Sequence, residues 1–543
     1  MCRCVRILAT VLLCAPLAAL AAELPTPGTV QAPLKRPAEM PATPAGPAVE
    51  GPKGAPVAVP TGGPKILVKK FEISGNQAIP TARLQALVAK YQGQRLTLHQ
   101  IYRVADEITA YYRDQGFTLA SATVPAQQVS SGVVRLEVVE GRVGKVLFEG
   151  NKSYSAGLLG KYTQNLEGTV LKNAAIEGDL LTMNDLPGLS AKAVVTPGES
   201  YGTSDIVVQS SEKRYDASLG LDNYGRVAIG EWRVHGAVDV NNPFGLGDQL
   251  GVTALHSQAG RLDFGRIDYS IPLDYRGTRL SAYYDRYHYK VDTAELGLPG
   301  TLDGGGDDFG VQILHPLIRS RKDNLYLGVA GDRSITRQGG SLAATSGGSI
   351  TVMRFLALYS HVHDDNAVTS ATVTFSTNFQ SNTSPTDQSH EAGKLEIDAT
   401  HVHPLWGLWS LVLNGTGVLS MQRLPDTERF RLGGPTSVRG YPSAEIAGDQ
   451  GVFASIEARR DLVLAKVFPA QFRVFYDAGL VERKQPLPGE SPTSSLTSVG
   501  VGLTTRIAKH YGLDLEVVRP IGAHRPSDGR DDVRVWAGLT ADF

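Results

Sequence analysis

From Lys213 to Phe543 the chain has no helical period. Apolar and polar residues alternate instead, in sixteen runs beginning near residues 214, 230, 248, 261, 278, 307, 323, 349, 366, 389, 408, 451, 470, 494, 511 and 533. A period of two belongs to a strand whose two faces meet different surroundings. In the last run Val533, Val535, Ala537, Leu539, Ala541 and Phe543 form an apolar face, and Arg534, Trp536, Gly538, Thr540 and Asp542 form a mixed one. These 331 residues (543 minus 212) allow about 21 for each strand with its connection. A membrane strand takes ~9–11 residues, which leaves about ten for each turn or loop. A soluble β-sandwich would alternate in the same way, but one soluble β domain rarely exceeds roughly 200–250 residues. Residues 212–543 therefore read as a 16-stranded antiparallel transmembrane β-barrel.

The N-terminus supplies the export that such a barrel needs. Arg3 and Arg6 precede the apolar run Ile7–Leu20, and Ala19-Leu20-Ala21 is an A-x-A cleavage site, so residues 1–21 read as a signal peptide. The only cysteines are Cys2, Cys4 and Cys14, and cleavage after Ala21 leaves none. No later stretch approaches the ~18 apolar residues of a membrane helix, so any span must be made by strands. The formal net charge of −1 lacks the basic surplus of a nucleic-acid binder, and nucleic acid is not expected as a partner. Residues 22–64 carry prolines at 25, 27, 33, 37, 41, 44, 47, 52, 56, 60 and 64. This segment reads as a Pro-rich linker without helical pattern, extended or disordered, serving as a spacer or a docking arm.

Residues 65–141 read as a small α/β unit. A strand at Ile66–Ile73 turns at Gly75-Asn76, and Leu84, Leu87, Val88 and Tyr91 form a helical face. Thr97 and Gln100 make a capping box for a second helix, with Ile101, Val104, Ala105, Ile108 and Tyr111 on its apolar side. Strands at Phe117–Val124 and Val133–Val139 follow. Residues 142–211 repeat the plan, with a strand from Val146, a turn at Gly150-Asn151, helical stretches at Ala156–Leu166 and Leu171–Leu186, and strands at Ala191–Thr196 and Asp205–Gln209. The two turn glycines lie 75 residues apart, one small domain's length, which points to a tandem repeat.

The order β-α-α-β-β with its Gly-Asn turn resembles the POTRA domain. Tyr112-Arg-Asp-Gln-Gly116-Phe, Val124-Pro125-Ala-Gln127 and Gly132-Val-Val-Arg-Leu-Glu-Val-Val-Glu-Gly141 resemble in particular the first POTRA of two-partner secretion transporters. The longest barrel connection, roughly Met421–Gln450, holds Val438-Arg439-Gly440-Tyr441, which resembles the loop motif of the BamA-type superfamily that folds back into the lumen. Its wall partner there is an aspartate, matched here by Phe475-Tyr476-Asp477-Ala478-Gly479. Alternation agrees independently. If Phe472, Val474, Tyr476, Ala478 and Leu480 face lipid, then Arg473, Phe475, Asp477 and Gly479 face inward, as do Glu457 and Arg459 on the preceding strand. Leu221–Gly225, Asn242–Asp248 and Tyr269–Leu273 are further family-like patches.

The resemblance implies two periplasmic POTRA domains (65–141 and 142–211) before an outer-membrane barrel of the hemolysin secretion/activation type in a Gram-negative bacterium. An unfolded exoprotein, hemolysin- or adhesin-like, would add as a strand to a POTRA sheet edge and leave through the barrel, while the Arg439 loop gates. The expected surroundings are outer-membrane lipid and the assembly machinery that reads a terminal aromatic, here Phe543, with the chain a monomer. Some members carry an N-terminal plug helix, and residues 22–64 show no pattern for one. The alternatives are an assembly factor of the same superfamily, which usually carries more POTRA repeats, and a passive porin, which needs none. Catalysis finds no support, since no G-x-S-x-G, P-loop or H-E-x-x-H motif is present. His361 and His363 with Asp364 and Asp365, or His401 with His403, share a face at i, i+2, but such residues more often line a strand end. No metal, cofactor or enzymatic activity is expected.

Overall fold

The computed structural model describes residues 25–34, 49–50, 64–129, 131–342, 346–382, 393–464, 468–486, 489–508 and 510–543. The signal peptide expected at 1–21 and most of the linker expected at 22–64 lie outside them.

The described part of that linker departs from expectation. Pro27–Gln31 is a short helix, α1, continued by a 3-10 turn at Ala32–Leu34. It sits inside the barrel, with Val30 packed among Leu262, Phe264, Tyr287 and Tyr289. Proline suits the first helical turn, where its missing N–H would have no partner, and the Thr26 hydroxyl caps the start by accepting from the Thr29 N–H at 3.2 Å. Five residues cannot sustain a helix alone. The barrel holds this one: Gly28 N–H donates to Asp426 at 2.8 Å, and Gln31 Nε2 donates to Asp308 at 2.6 Å. A five-residue helix fixed by tertiary contacts leaves no period to read. Farther on, Val49–Glu50 pairs in parallel with Ala193 and Val194, so the linker also contributes a strand.

The first α/β unit contains β1 (Lys70–Ser74), α2 (Thr81–Val88), α3 (Leu98–Asp114), β2 (Ser121–Thr123) and β3 (Val133–Val139). The sheet order is β1-β3-β2, with β1 and β3 parallel. Both helices pack on one face through Leu84, Val88, Ile101, Val104 and Ile108. Thr97 and Gln100 form the capping box. The fully buried tyrosine of α3 is Tyr112, not Tyr111. Tyr112 extends the stripe of Ile101, Val104, Ala105 and Ile108 by one more turn, and its hydroxyl donates to Glu140 at 2.8 Å. Burial first, and then the Glu140 carboxylate, push the Tyr112 phenol above its ordinary pKa. The expected strand at Phe117–Val124 shrinks to three residues, because the chain first turns through Gly116 and Phe117–Ala120.

The second unit contains β4 (Arg142–Glu149), α4 (Ala156–Tyr162), α5 (Asn173–Asn184), β5 (Leu189–Pro197) and β6 (Thr203–Glu212). Its sheet runs from the Val49–Glu50 strand through β5 and β6 to β4. The repeat extends to atoms. Gly75 and Gly150 have φ of 85° and 81°, a conformation that favours glycine. Asn76 and Asn151 each donate through Nδ2 to a carbonyl three residues on, at Ile79 and Tyr154. Glu140 accepts from the Gln77 and Ala78 N–H groups, and Glu212 from those of Lys152, Ser153 and Tyr154.

Sixteen antiparallel strands close the barrel. They are β7 (Tyr215–Asp222), β8 (Arg233–Asn241), β9 (Gln249–Ser257), β10 (Leu262–Pro272), β11 (Arg279–Lys290), β12 (Asp303–Arg319), β13 (Asp323–Gly339) and β14 (Ser346–Val362). The second half is β15 (Val368–Asn382), β16 (Gly393–Pro404), β17 (Trp409–Ser420), β18 (Gln450–Leu464), β19 (Phe468–Glu482), β20 (Thr493–Ile507), β21 (Tyr511–Pro520) and β22 (Arg534–Asp542). Each pairs with the next, and β7 closes on β22 through Ser218–Asp222 and Gly538–Asp542. On β22 and the residue before it, Val533, Val535 and Leu539 are exposed on the outer wall, while Arg534 and Trp536 are buried inside. The second α/β unit docks under the barrel: Asp185 accepts from Arg319 at 2.6 and 3.0 Å and from the Tyr326 hydroxyl at 3.3 Å.

Candidate functional site

The connection between β17 and β18 folds back into the lumen. Its stem is a short hairpin, Phe430–Leu432 paired with Ile446–Gly448. Val438, Tyr441, Leu432 and Ile446 pack with Phe453, Val481 and Leu496 of the wall. That apolar contact carries the tip down to the β18–β21 wall, where Arg439 is only 7% exposed.

Arg439 meets three carboxylates. Its Nε and Nη2 donate to Asp477 at 2.9 and 2.7 Å, a bidentate pair. Nη1 donates to Glu457 at 2.9 Å and to Glu516 at 3.3 Å, and Nη2 also reaches the Ser455 hydroxyl at 3.1 Å. The Arg439 backbone N–H donates to Asp477 at 3.2 Å. The guanidinium lies 3.2 Å from the Phe475 ring centre. Arg459 adds a bond to Glu457, and Arg473 bonds both Glu516 and Asp514. The cluster thus sets three arginines against four carboxylates. Asp477 is fully buried and also accepts from the Ser455 and Ser498 hydroxyls. Buried charges persist only when paired in this way.

Gly440 permits the approach: a Cβ there would stand 2.7 Å from the Ser498 Cβ. The carbonyl of Arg439 accepts from Trp536 Nε1 at 2.7 Å, and the Tyr441 hydroxyl donates to the His524 carbonyl at 3.3 Å. Gly479 leaves space for the Leu432 side chain, which a Cβ would meet at 2.5 Å. The structure therefore brings Val438, Arg439, Gly440 and Tyr441 together with Phe475, Asp477 and Gly479. Gly75, Asn76, Gly150 and Asn151 lie far from this site, in the turns of the α/β units. Phe543 lies on the outer wall, its N–H donating to the Ala217 carbonyl at 2.9 Å.

Other residues of the site carried no local signal. Alternation would point Glu516 inward, but only the register across β19, β20 and β21 brings it level with Arg439. On the opposite wall Glu428 accepts from Arg354 at 2.8 and 3.1 Å and pairs with Lys394 at 3.0 Å. Asp426 pairs with Arg431 and accepts from α1, so one carboxylate joins loop and helix. Loop and helix share the lumen with a cavity of about 860 Å³.

The histidines stand elsewhere, at the end of the barrel nearest the α/β units. Thr369 bridges His363 and His401 at 2.9 Å each, and His361 pairs with Asp323. Among the described residues no group of three His, Cys, Asp or Glu side chains is placed to hold a metal ion.

A model of the haemolysin secretion/activation protein ShlB/FhaC/HecB matches residues 202–505, and a model of the POTRA domain, ShlB-type, matches residues 66–141. The chain is 25% identical over 488 residues to the heme/hemopexin transporter protein HuxB of Haemophilus influenzae (strain 86-028NP), covering 86% of this chain and 85% of that protein. It is 26% identical over 498 residues to the outer membrane transporter CdiB of Escherichia coli, covering 85% and 80%. In structure it resembles CdiB from Escherichia coli with a TM-score of 0.73 at 21% identity, over 92% of this chain and 94% of that one.

Proposed function

The chain belongs to the haemolysin secretion/activation protein family (ShlB/FhaC/HecB), and on that footing we propose how it moves its cargo. It is an outer-membrane transporter of two-partner secretion, with POTRA domains in the periplasm and a secreted exoprotein as partner. The exoprotein arrives unfolded and adds as a strand to a POTRA sheet edge, where backbone hydrogen bonds need no particular sequence. It then passes through the barrel as the Arg439 loop and α1 leave the lumen. The transporter acts as a monomer in outer-membrane lipid, after insertion by the assembly machinery, and catalyses no reaction.

One observation carries this reading: the loop is pinned across the lumen at Arg439 on one wall and at Glu428 on the other. A lumen crossed by ion pairs is closed at rest and opens when they are exchanged. The test is single-channel conductance of the full-length protein in a planar bilayer, with and without residues 66–211, beside secretion of a large unfolded exoprotein co-expressed with it. Brief, infrequent openings in both forms, with secretion only from the intact one, are expected. Secretion that survives loss of residues 66–211 would refute capture by these domains.

A further inference from the structure

The outer wall at the end remote from the POTRA domains carries a cationic patch on β11–β13. On β12 the outward residues Phe309, Val311 and Ile313 are exposed and apolar, as are Leu327 and Val329 on β13. Tyr284 lies tilted against Phe309 with ring centres 4.8 Å apart. An aromatic pair at the rim of an apolar band marks the headgroup level. Above it the outward positions change character. Arg286 stands opposite Asp307, Arg333 opposite Phe309, and Arg337 opposite Gly305, with Lys290 and Asp303 paired one step higher.

Four cations therefore face two carboxylates on this part of the wall. Asp307 lies beneath the arginines, accepting from Tyr284 and Arg337 at 2.8 Å each, with Arg286 at 3.7 Å. Arg286 and Arg337 nevertheless stay open, their side chains 68% and 59% exposed. Arg333 is exposed and has no ion pair among the described residues. The same end of the β18–β19 wall instead exposes Val452 and Leu480.

Strand length says what this patch meets. β12 and β13 have 17 residues each, against the ~9–11 that cross a membrane. From Phe309 to Asp303 the strand continues for about 20 Å at ~3.4 Å per residue, so the cations stand beside the headgroups of the outer leaflet. We propose that this face binds a phosphorylated glycolipid of the outer leaflet, its acyl chains lying on Phe309, Val311 and Ile313 and its phosphates held by Arg286, Arg333 and Arg337. Guanidinium groups suit phosphate because they bind it bidentately and stay charged. A free anion or a soluble protein would gain nothing from the adjoining apolar band.

The test uses the full-length protein in detergent micelles and native mass spectrometry with diphosphorylated lipid A as probe. R286Q/R333Q/R337Q is expected to weaken binding at least tenfold, and removing both phosphates from the probe to do the same to the parent protein. R333Q, which breaks no described ion pair, keeps the test open should the triple variant fold poorly, and is expected to weaken binding about threefold. Equal binding by parent and R333Q, equal binding of the dephosphorylated probe, or full competition by millimolar inorganic phosphate would overturn the proposal. So would a dimer of the parent that R333Q abolishes, which would assign the face to a second copy of this chain.

Discussion

Arg439 and Asp477 look like one pair, yet the geometry makes their losses unequal. Arg439→Ala removes five side-chain hydrogen bonds. Glu457 then keeps Arg459 and Glu516 keeps Arg473, but Asp477 is left buried with two hydroxyls and one backbone N–H. Stranding one buried charge costs ~3–5 kcal/mol. Taking ~4 kcal/mol, the closed-to-open ratio of the loop falls roughly a thousandfold. Asp477→Ala leaves Arg439 held by Glu457 and Glu516, so its cost is that of a charged hydrogen-bonded contact, ~2 kcal/mol. The double variant removes the stranded carboxylate and is expected to be milder than Arg439→Ala. The assay is urea-driven loop release in detergent, followed by Trp536, which bonds the Arg439 carbonyl, with Trp232, Trp406 and Trp409 replaced by Phe. Secretion should fall in the same order. Equal single-variant losses, or additivity within ~0.5 kcal/mol, would refute the shared-carboxylate reasoning.

Glu428→Gln weakens the second anchor by ~2 kcal/mol, because it removes one charge facing Arg354 and Lys394; open-channel probability should rise more than tenfold in bilayer recordings. Asp426→Ala unfastens α1 from the loop and should lengthen open times while leaving barrel assembly intact, as heat-modified gel migration would report. Asp185→Asn removes the charge that Arg319 clamps, and a spin-label pair across the second α/β unit and the barrel should show a broader distance distribution. Burial of Asp179 on α5 raises its pKa to about 6. A raised carboxyl binds its proton more tightly in the folded state, so the domain is most stable below the unfolded value of ~3.9 and loses stability as pH rises from there to about 6. The full linkage of ~3 kcal/mol shrinks to ~1 kcal/mol for a carboxyl that is partly exposed. Asp179→Asn should remove this slope from urea titrations of the periplasmic part between about pH 4 and 7.

Much of the architecture could be read in one dimension. Period-two alternation is a property of each strand by itself, so the strand count and the inward aim of Asp477, Glu457 and Arg473 followed from sequence. The Gly75 and Gly150 turns were legible for a similar reason, since a left-handed residue before an asparagine cap is a local demand. Tyr112 was missed because a stripe on 3.6-residue spacing leaves adjacent positions nearly equivalent until a partner, here Glu140, selects one. What alternation cannot supply is height around the barrel. The level of Glu516 with Arg439, and of Glu428 with Arg354 and Lys394, depends on register summed over several strands and on a hairpin's reach across the lumen. The helix at Pro27–Gln31 is the extreme case: its residues have no period of their own, and only Asp426, Asp308 and the apolar wall around Val30, all more than two hundred residues away, make that conformation stable.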